Sequence, residues 1–115
     1  MNLLKETIDE LAAQGKTLND IEWIGNRHFQ LPLDDLHRLF DVDYDNGYGG
    51  TEIAYDLLVV GDGWWLERHE YDGKEWWAYY EPPVKPTEVK TLKRIDDGWH
   101  SLGDILQREE YLEDD

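Results

Sequence analysis

One acidic segment is the clearest candidate for chemistry in this 115-residue sequence. Within residues 41–52, acidic side chains stand at the ligand spacing of an EF-hand calcium loop, as Asp41, Asp43, Asp45 and Glu52. Calcium is therefore a candidate ligand. Two features depart from that motif: Asn46 stands where glycine makes the sharp turn, and the residues after the segment predict a strand instead of a second helix. The alternative is a loop whose acids face solvent.

Acidity dominates the whole chain. It carries 27 Asp and Glu against 11 Lys and Arg, a formal net charge of -16. One dense acidic row begins in a predicted helix and continues through the segment above, with Asp34, Asp35, Asp41, Asp43, Asp45 and Glu52. A second lies near the end, with Asp104, Glu109, Glu110, Glu113 and Asp114. Such rows predict a basic partner and no direct nucleic-acid binding; the alternative is a coat that provides solubility.

The sequence offers no recognisable catalytic site. Cysteine is absent, which excludes disulfides, thiolate nucleophiles and cysteine-ligated metals. The four histidines have no paired ligand spacing, and neither a phosphate-binding glycine loop nor a nucleophile elbow is present. Carboxylates beside tryptophans leave a hydrolase as a third class. We expect a protein that is not an enzyme, with no cofactor other than the candidate calcium.

The elements that position these residues predict a single α+β domain over 1–115, with about three helices and an antiparallel sheet of four to six strands. Apolar spacing predicts helices from Leu3 to a stop at Gly15, over Pro32–Phe40 and over Leu102–Leu112. Strands are predicted at Ile21–Ile24, Arg27–Leu31, Ile53–Val60, Trp64–Tyr71, Glu75–Tyr80 and Glu88–Ile95.

Three turn signals predict hairpins, at Gly25-Asn26, Asp62-Gly63 and Asp72-Gly73. At the first, the alternative is a short helix, because Thr17 and Asp20 have the spacing of a capping box. At the third, counting back from a two-residue turn pairs His69 with Trp76.

That register sorts the aromatic residues onto two faces. One holds Trp64, Leu66, Arg68, Trp77 and Tyr79, and the other holds Trp65, Glu67, His69, Trp76, Ala78 and Tyr80. Helices are expected to cover one face. Exposed aromatics on the other, namely Trp65, Trp76 and Tyr80, would form a binding patch.

The first residues lack the apolar stretch of a signal peptide, and no run approaches the ~18 apolar residues of a membrane span. Together with the absence of cysteine, this predicts a soluble protein of the cytoplasm with no membrane partner.

Three segments resemble small acidic proteins of phages and prophages in Gram-positive bacteria: Ile21–Gly25, Tyr44–Gly49 and, above all, Trp64–Trp77. The resemblance covers roughly residues 17–95 and brings no catalytic residues. It implies a phage-encoded inhibitor of host defence that imitates DNA and binds a basic, nucleic-acid-handling host protein in the host cytoplasm. A CRISPR RNA-guided nuclease is the expected partner. The alternative function is a calcium- or ligand-binding accessory protein that uses the Asp41–Glu52 loop.

Overall fold

A five-stranded antiparallel sheet organises the first 83 residues. The computed structural model describes residues 1–47 and 49–113, and the chain divides into two compact units, Met1–Pro83 and Val84–Asp115. Over the described residues there are three α-helices and five strands, which confirms the predicted α+β class. They are α1 (Leu3–Ala13), β1 (Ile21–Gly25), β2 (Gln30–Leu31), α2 (Leu36–Phe40), β3 (Leu58–Gly61), β4 (Trp64–Tyr71), β5 (Lys74–Tyr80) and α3 (Leu102–Glu113).

The strands lie in the order β2-β1-β3-β4-β5. Two of the predicted two-residue turns are confirmed, at Asp62-Gly63 between β3 and β4 and at Asp72-Gly73 between β4 and β5. Asp72 and Gly73 have φ angles of 53° and 82°, the left-handed conformation that a tight hairpin of this hand requires. The predicted pairing of His69 with Trp76 is also confirmed.

The first hairpin exists, but its predicted turn at Gly25-Asn26 is wrong. Gly25 is still in β1 and pairs with Gln30, so the connection is the four-residue loop 26–29. The side chain of Asn26 explains the difference, because its Oδ1 accepts hydrogen bonds from the backbone N–H groups of His28 and Phe29. An asparagine that bonds its own following backbone favours a wider turn. The alternative reading is also partly realised, since residues 18–20 form one 3₁₀ turn before β1.

Two further predicted elements are shorter in the structure. The predicted helix Pro32–Phe40 is a 3₁₀ turn followed by the five residues of α2. The predicted strand Ile53–Val60 begins only at Leu58. Ile53, the first residue of the predicted strand, is not paired in the sheet, because its backbone N–H donates to the carboxylate of Glu75.

Helices α1 and α2 cover one face of the sheet, as predicted. The buried core cluster beneath them contains Leu3, Leu11, Ile21, Ile24, Leu36, Phe40, Tyr44, Val59, Trp64, Leu66 and Trp77. Trp77 joins both helices to the sheet: its indole Nε1 donates to Thr7 Oγ1 of α1 at 2.9 Å, and its ring stacks on Phe40 of α2. Gly61 is required for close packing, because a Cβ there would lie 2.1 Å from the ring of Trp64.

The second unit consists of an extended segment and α3. The strand predicted over Glu88–Ile95 is wrong, since no residue of this segment is in a strand. Its side chains are exposed except for a half-buried Leu92, so no apolar face exists to hold it on a sheet. In α3, Ile105 is buried while Leu102 and Leu112 are exposed, so the predicted apolar side is realised only at its centre. No helix among the described residues is long and apolar enough to span a membrane.

Candidate functional site

The acidic loop, residues 41–53, is joined to the start of α1 through one asparagine. Asn2 caps the helix, with its Oδ1 accepting from the backbone N–H of Lys5. The Nδ2 of the same side chain donates to Asp41 Oδ1 and to Asp43 Oδ1, each at 3.0 Å. A backbone hydrogen bond from Leu3 N to the carbonyl oxygen of residue 42 reinforces the contact. The structure therefore brings Asp41 and Asp43 together at the N-terminus of α1, with both residues exposed.

The other end of the acidic loop is anchored by a buried carboxylate. Glu75, on β5, has a side chain only 2% exposed. Its two carboxylate oxygens accept hydrogen bonds from the backbone N–H groups of Glu52, at 2.8 Å, and Ile53, at 3.3 Å. The side-chain amide of Asn46 bonds both the N–H and the carbonyl of Glu75, at 2.8 and 2.9 Å. Asn46 thus replaces a neighbouring strand at this point on the sheet edge.

Arg68 neutralises that buried charge. Its guanidinium contacts Glu75 Oε1 at 2.9 Å and Glu6 Oε1 of α1 at 3.1 Å. Its Cζ lies 4.7 Å from the centre of the Trp77 ring, within cation–π range. Removing Arg68 from this group would leave two carboxylates without their cation. The group therefore acts as a structural link between α1, the sheet and the acidic loop.

Tyr44 completes this link from the loop side. It is buried, its hydroxyl donates to Glu6 Oε2, and it accepts from Arg68 Nη2. Burial and, next, the hydrogen bond to the Glu6 carboxylate raise the pKa of Tyr44 to about 12. The hydroxyl therefore stays protonated and donating over the physiological range.

The four candidate calcium ligands do not form a cluster. Asp41 and Asp43 bond Asn2, while Glu52 Oε2 accepts from the backbone N–H of Asp45. Among the described residues, no group of three or more His, Cys, Asp or Glu side chains is placed to hold a metal ion. Tyr48, within the loop, lies outside those residues. Calcium binding stays a prediction.

The remaining acids of the first row lie at the start of α2. Asp34 is exposed, and Asp35 pairs with Arg38 at 3.3 Å, one helical turn along. In the second row, Glu109 accepts hydrogen bonds from the backbone N–H of Lys93. Asp114 lies outside the described residues.

The face of the sheet opposite the helices carries the predicted aromatic patch, which we call the open face. Cross-strand pairing places Trp23, Val60, Trp65 and Tyr80 in one row over β1, β3, β4 and β5. A second row holds Leu58, Glu67 and Ala78, and a third holds His69 and Trp76. Trp65 and Tyr80 stack with their ring centres 5.5 Å apart, and His69 lies within 6.2 Å of both Tyr80 and Trp76. The structure thus brings together the three aromatic residues predicted for this patch.

Sequence reasoning missed the residues that fix the acidic loop. Asn2 had a readable signal, since asparagine directly before an apolar helical pattern is a favoured N-cap, although its bonds to two aspartates had none. Glu75 was assigned to a strand without a role. No local sequence pattern indicates that a carboxylate will accept hydrogen bonds from backbone N–H groups more than twenty residues away.

Similarity to known proteins adds nothing to this description of the fold and the site. The chain matches no protein-family model, no curated protein and no solved structure.

Proposed function

We propose that this protein is a non-enzymatic binding protein that docks through the acidic loop onto a basic surface of another protein. The observation that carries the proposal is the double anchoring of that loop. Asn2 fixes Asp41 and Asp43 at one end, and Glu75 fixes residues 52 and 53 at the other. Carboxylates held in place lose less conformational entropy on binding than those on a free loop.

Charge supports a basic partner. The formal net charge of -16 repels nucleic acid and attracts a cationic surface over a distance set by the ionic strength. The exposed side chains of Asp34, Asp41, Asp43 and Asp45 provide the negative charge next to the sheet.

The specific form of the proposal is a phage-encoded inhibitor of a nucleic-acid-handling host protein. A DNA-binding channel is lined by Lys and Arg side chains at phosphate spacing, and a row of fixed carboxylates competes for the same groups. The resemblance to small acidic phage proteins supports a CRISPR RNA-guided nuclease as the host protein. Its cellular site would be the cytoplasm of the host.

The test starts from a partner captured from bacterial lysate and identified by mass spectrometry. Affinity for the purified partner is measured in about 0.05 M and about 0.5 M salt, with and without competing double-stranded DNA. We expect weaker binding at high salt and direct competition with DNA. A complex that ignores both salt and DNA would contradict the proposal.

A charge-reversal pair locates the contact. The test variant changes Asp41, Asp43 and Asp45 to Lys. The control changes Asp9, Glu22 and Asp62 to Lys, three exposed acids outside both acidic rows, so that both variants alter the net charge equally. The test variant should lose binding, whereas the control should lose only the part due to long-range attraction. Equal affinities for the two variants would show that the acidic loop is not the contact.

A further inference from the structure

A carboxylate lies among the aromatic and aliphatic side chains of the open face. Glu67 stands in the middle row, flanked on β4 by Trp65 and His69. Its Oε1 accepts a hydrogen bond from Trp65 Nε1 at 2.8 Å, and its Oε2 lies 3.5 Å from His69 Nε2. The side chain is 27% exposed. A half-buried carboxylate with a fixed orientation remains free to accept further hydrogen bonds from outside.

The protein already presents an arginine to this carboxylate. Arg27 reaches over from loop 26–29, and its Nη2 lies 3.4 Å from Glu67 Oε1. The contact is single and long, and the Arg27 side chain is 74% exposed. Exposed pairs of this kind contribute little to stability. The contact shows that Glu67 pairs with a guanidinium. Because the contact is weak, a better-placed guanidinium can displace Arg27 from the Glu67 carboxylate.

The surroundings favour arginine over lysine as the visiting side chain. A guanidinium is planar, donates two parallel hydrogen bonds to a carboxylate and stacks on aromatic rings, whereas an ammonium is a compact and strongly hydrated charge. Trp65 and Tyr80 form a stacked pair beside Glu67, with an angle of 16° between their planes. Flat walls next to a carboxylate therefore match a guanidinium.

Space for the rest of a bound segment lies beside Arg27. A shallow depression of about 400 Å³ is lined by Trp23, Asn26, Arg27, Leu58, Val60 and Trp65. Its apolar lining would accept the aliphatic part of an arginine or a small apolar neighbour in an extended segment. The negative charge of the whole chain adds attraction for a basic segment.

We infer that the open face is a binding site for an arginine in an extended basic segment of a partner protein, and that Arg27 occupies its carboxylate, Glu67, until the partner's guanidinium displaces it. The inference rests on the proposed function in taking the partner to be basic. It adds a second contact on a different face from the acidic loop and states the side chain recognised there.

Defined peptides test the site without any partner. Three five-residue peptides carry arginine, lysine or the neutral isostere citrulline between small apolar residues. Each is titrated into the full chain up to about millimolar concentration, with tryptophan fluorescence and the NMR signals of the indole N–H groups as readouts. We expect saturable binding of the arginine peptide that shifts the indole signal of Trp65, weaker binding of the lysine peptide and none of the citrulline peptide.

Two variants and a control make the test specific. Arg27→Ala should tighten binding of the arginine peptide by up to about fivefold, the factor expected for losing a competing exposed ion pair. Glu67→Gln should weaken it at least about tenfold, because charge-assisted hydrogen bonds are lost. Glu22→Gln, which removes an exposed carboxylate on β1, should change nothing.

Several results would overturn the inference: arginine and citrulline peptides that bind alike, an unaltered affinity in Glu67→Gln, a weaker affinity in Arg27→Ala, or no binding of the arginine peptide even to Arg27→Ala. None of these would affect the acidic loop, whose own test is charge reversal against the captured partner. Failure of the site and failure of the proposed function are therefore distinguishable.

Discussion

Two adjacent tryptophans on β5 offer the sharpest test of the fold that positions both surfaces. Trp77 points into the core and is 4% exposed, while Trp76 lies on the open face and is 40% exposed. Replacing each with alanine removes the same side chain from the same strand. The two variants therefore differ only in which face of the sheet loses it.

The structure sets the expected loss for Trp77→Ala at about 4 kcal/mol. A buried tryptophan removes roughly 200 Å² from water, which at ~25 cal/mol per Å² is at most about 5 kcal/mol. Subtracting the area that the unfolded chain already buries and the area that alanine retains leaves roughly 2–3 kcal/mol of transfer contribution. The hydrogen bond to Thr7 and the contact with Arg68 each add about 1 kcal/mol. Measured costs for such truncations are about 3–5 kcal/mol. Trp76→Ala should cost about 1–2 kcal/mol, because Trp76 is already 40% exposed at the surface of the sheet.

Urea unfolding followed by far-ultraviolet circular dichroism measures both variants. With a slope of about 1–3 kcal/mol per molar urea, Trp77→Ala should lower the midpoint by roughly 1–4 M, and Trp76→Ala by much less. Far-ultraviolet detection is preferred because each variant changes the tryptophan fluorescence. Equal losses, or a larger loss for Trp76→Ala, would refute the assigned faces and with them the position of the open face.

Three further predictions concern the acidic loop and its anchor. Glu75→Gln should cost about 2–3 kcal/mol in the free energy of unfolding, because Arg68 keeps only its ion pair with Glu6 and the backbone N–H groups of Glu52 and Ile53 lose a charged acceptor; a variant as stable as the wild type would contradict the anchor. The pKa of Tyr44 is about 12 in the folded protein and about 10 in the unfolded chain. The protonated hydroxyl therefore contributes its full stabilisation of the fold below pH 10. That contribution should be lost as pH rises from 10 to 12, and Tyr44→Phe should flatten this decline. Calcium, if it binds the loop, should raise the melting temperature, and Glu52→Gln should abolish the rise; a flat titration to millimolar calcium would exclude the ion.

The register of the β4–β5 hairpin was predictable because it depends on two adjacent residues. A two-residue turn at Asp72-Gly73 determines every pairing between β4 and β5 by counting, and all of those predicted pairs are present. The same count separated Trp77 from Trp76. Because successive side chains of a strand point to opposite faces, the pairing also predicts the face on which each aromatic side chain lies.

Three segments differ from their predicted form, each for a different physical reason. Residues 53–57 read as strand from their composition, but Glu75 takes the N–H of Ile53, and Leu57 N donates to the carbonyl of Ala54 in a turn. At the first hairpin the cause is local, because the side chain of Asn26 accepts hydrogen bonds from the backbone N–H groups of His28 and Phe29 and so widens the turn. In Glu88–Ile95, local β-forming residues were present without an apolar surface to cover, and no strand forms. The local sequence reveals neither the distant partner of Ile53 nor the lack of an apolar surface under residues 88–95.

The acids of this chain divide into those that hold the structure and those that face outward, and the proposed function links the two groups. Glu75 is buried, and its carboxylate anchors the backbone at residues 52 and 53 through their N–H groups. Glu75→Gln should therefore weaken partner binding although Asp41 and Asp43 are unaltered, because the loop would lose entropy on docking that the wild type does not lose.

The prediction separates positioning from charge. Reversing Asp41, Asp43 and Asp45 should reduce both the affinity and its salt dependence, since fewer charges meet the partner. Glu75→Gln should reduce the affinity while leaving the salt dependence as in the wild type, because the exposed charges are still present. Both quantities are read from the same titrations, at a temperature where circular dichroism shows the variant to be folded. A folded Glu75→Gln variant that binds with wild-type affinity would mean that the acidic loop needs no anchor, and the entropic argument for the proposed function would fail.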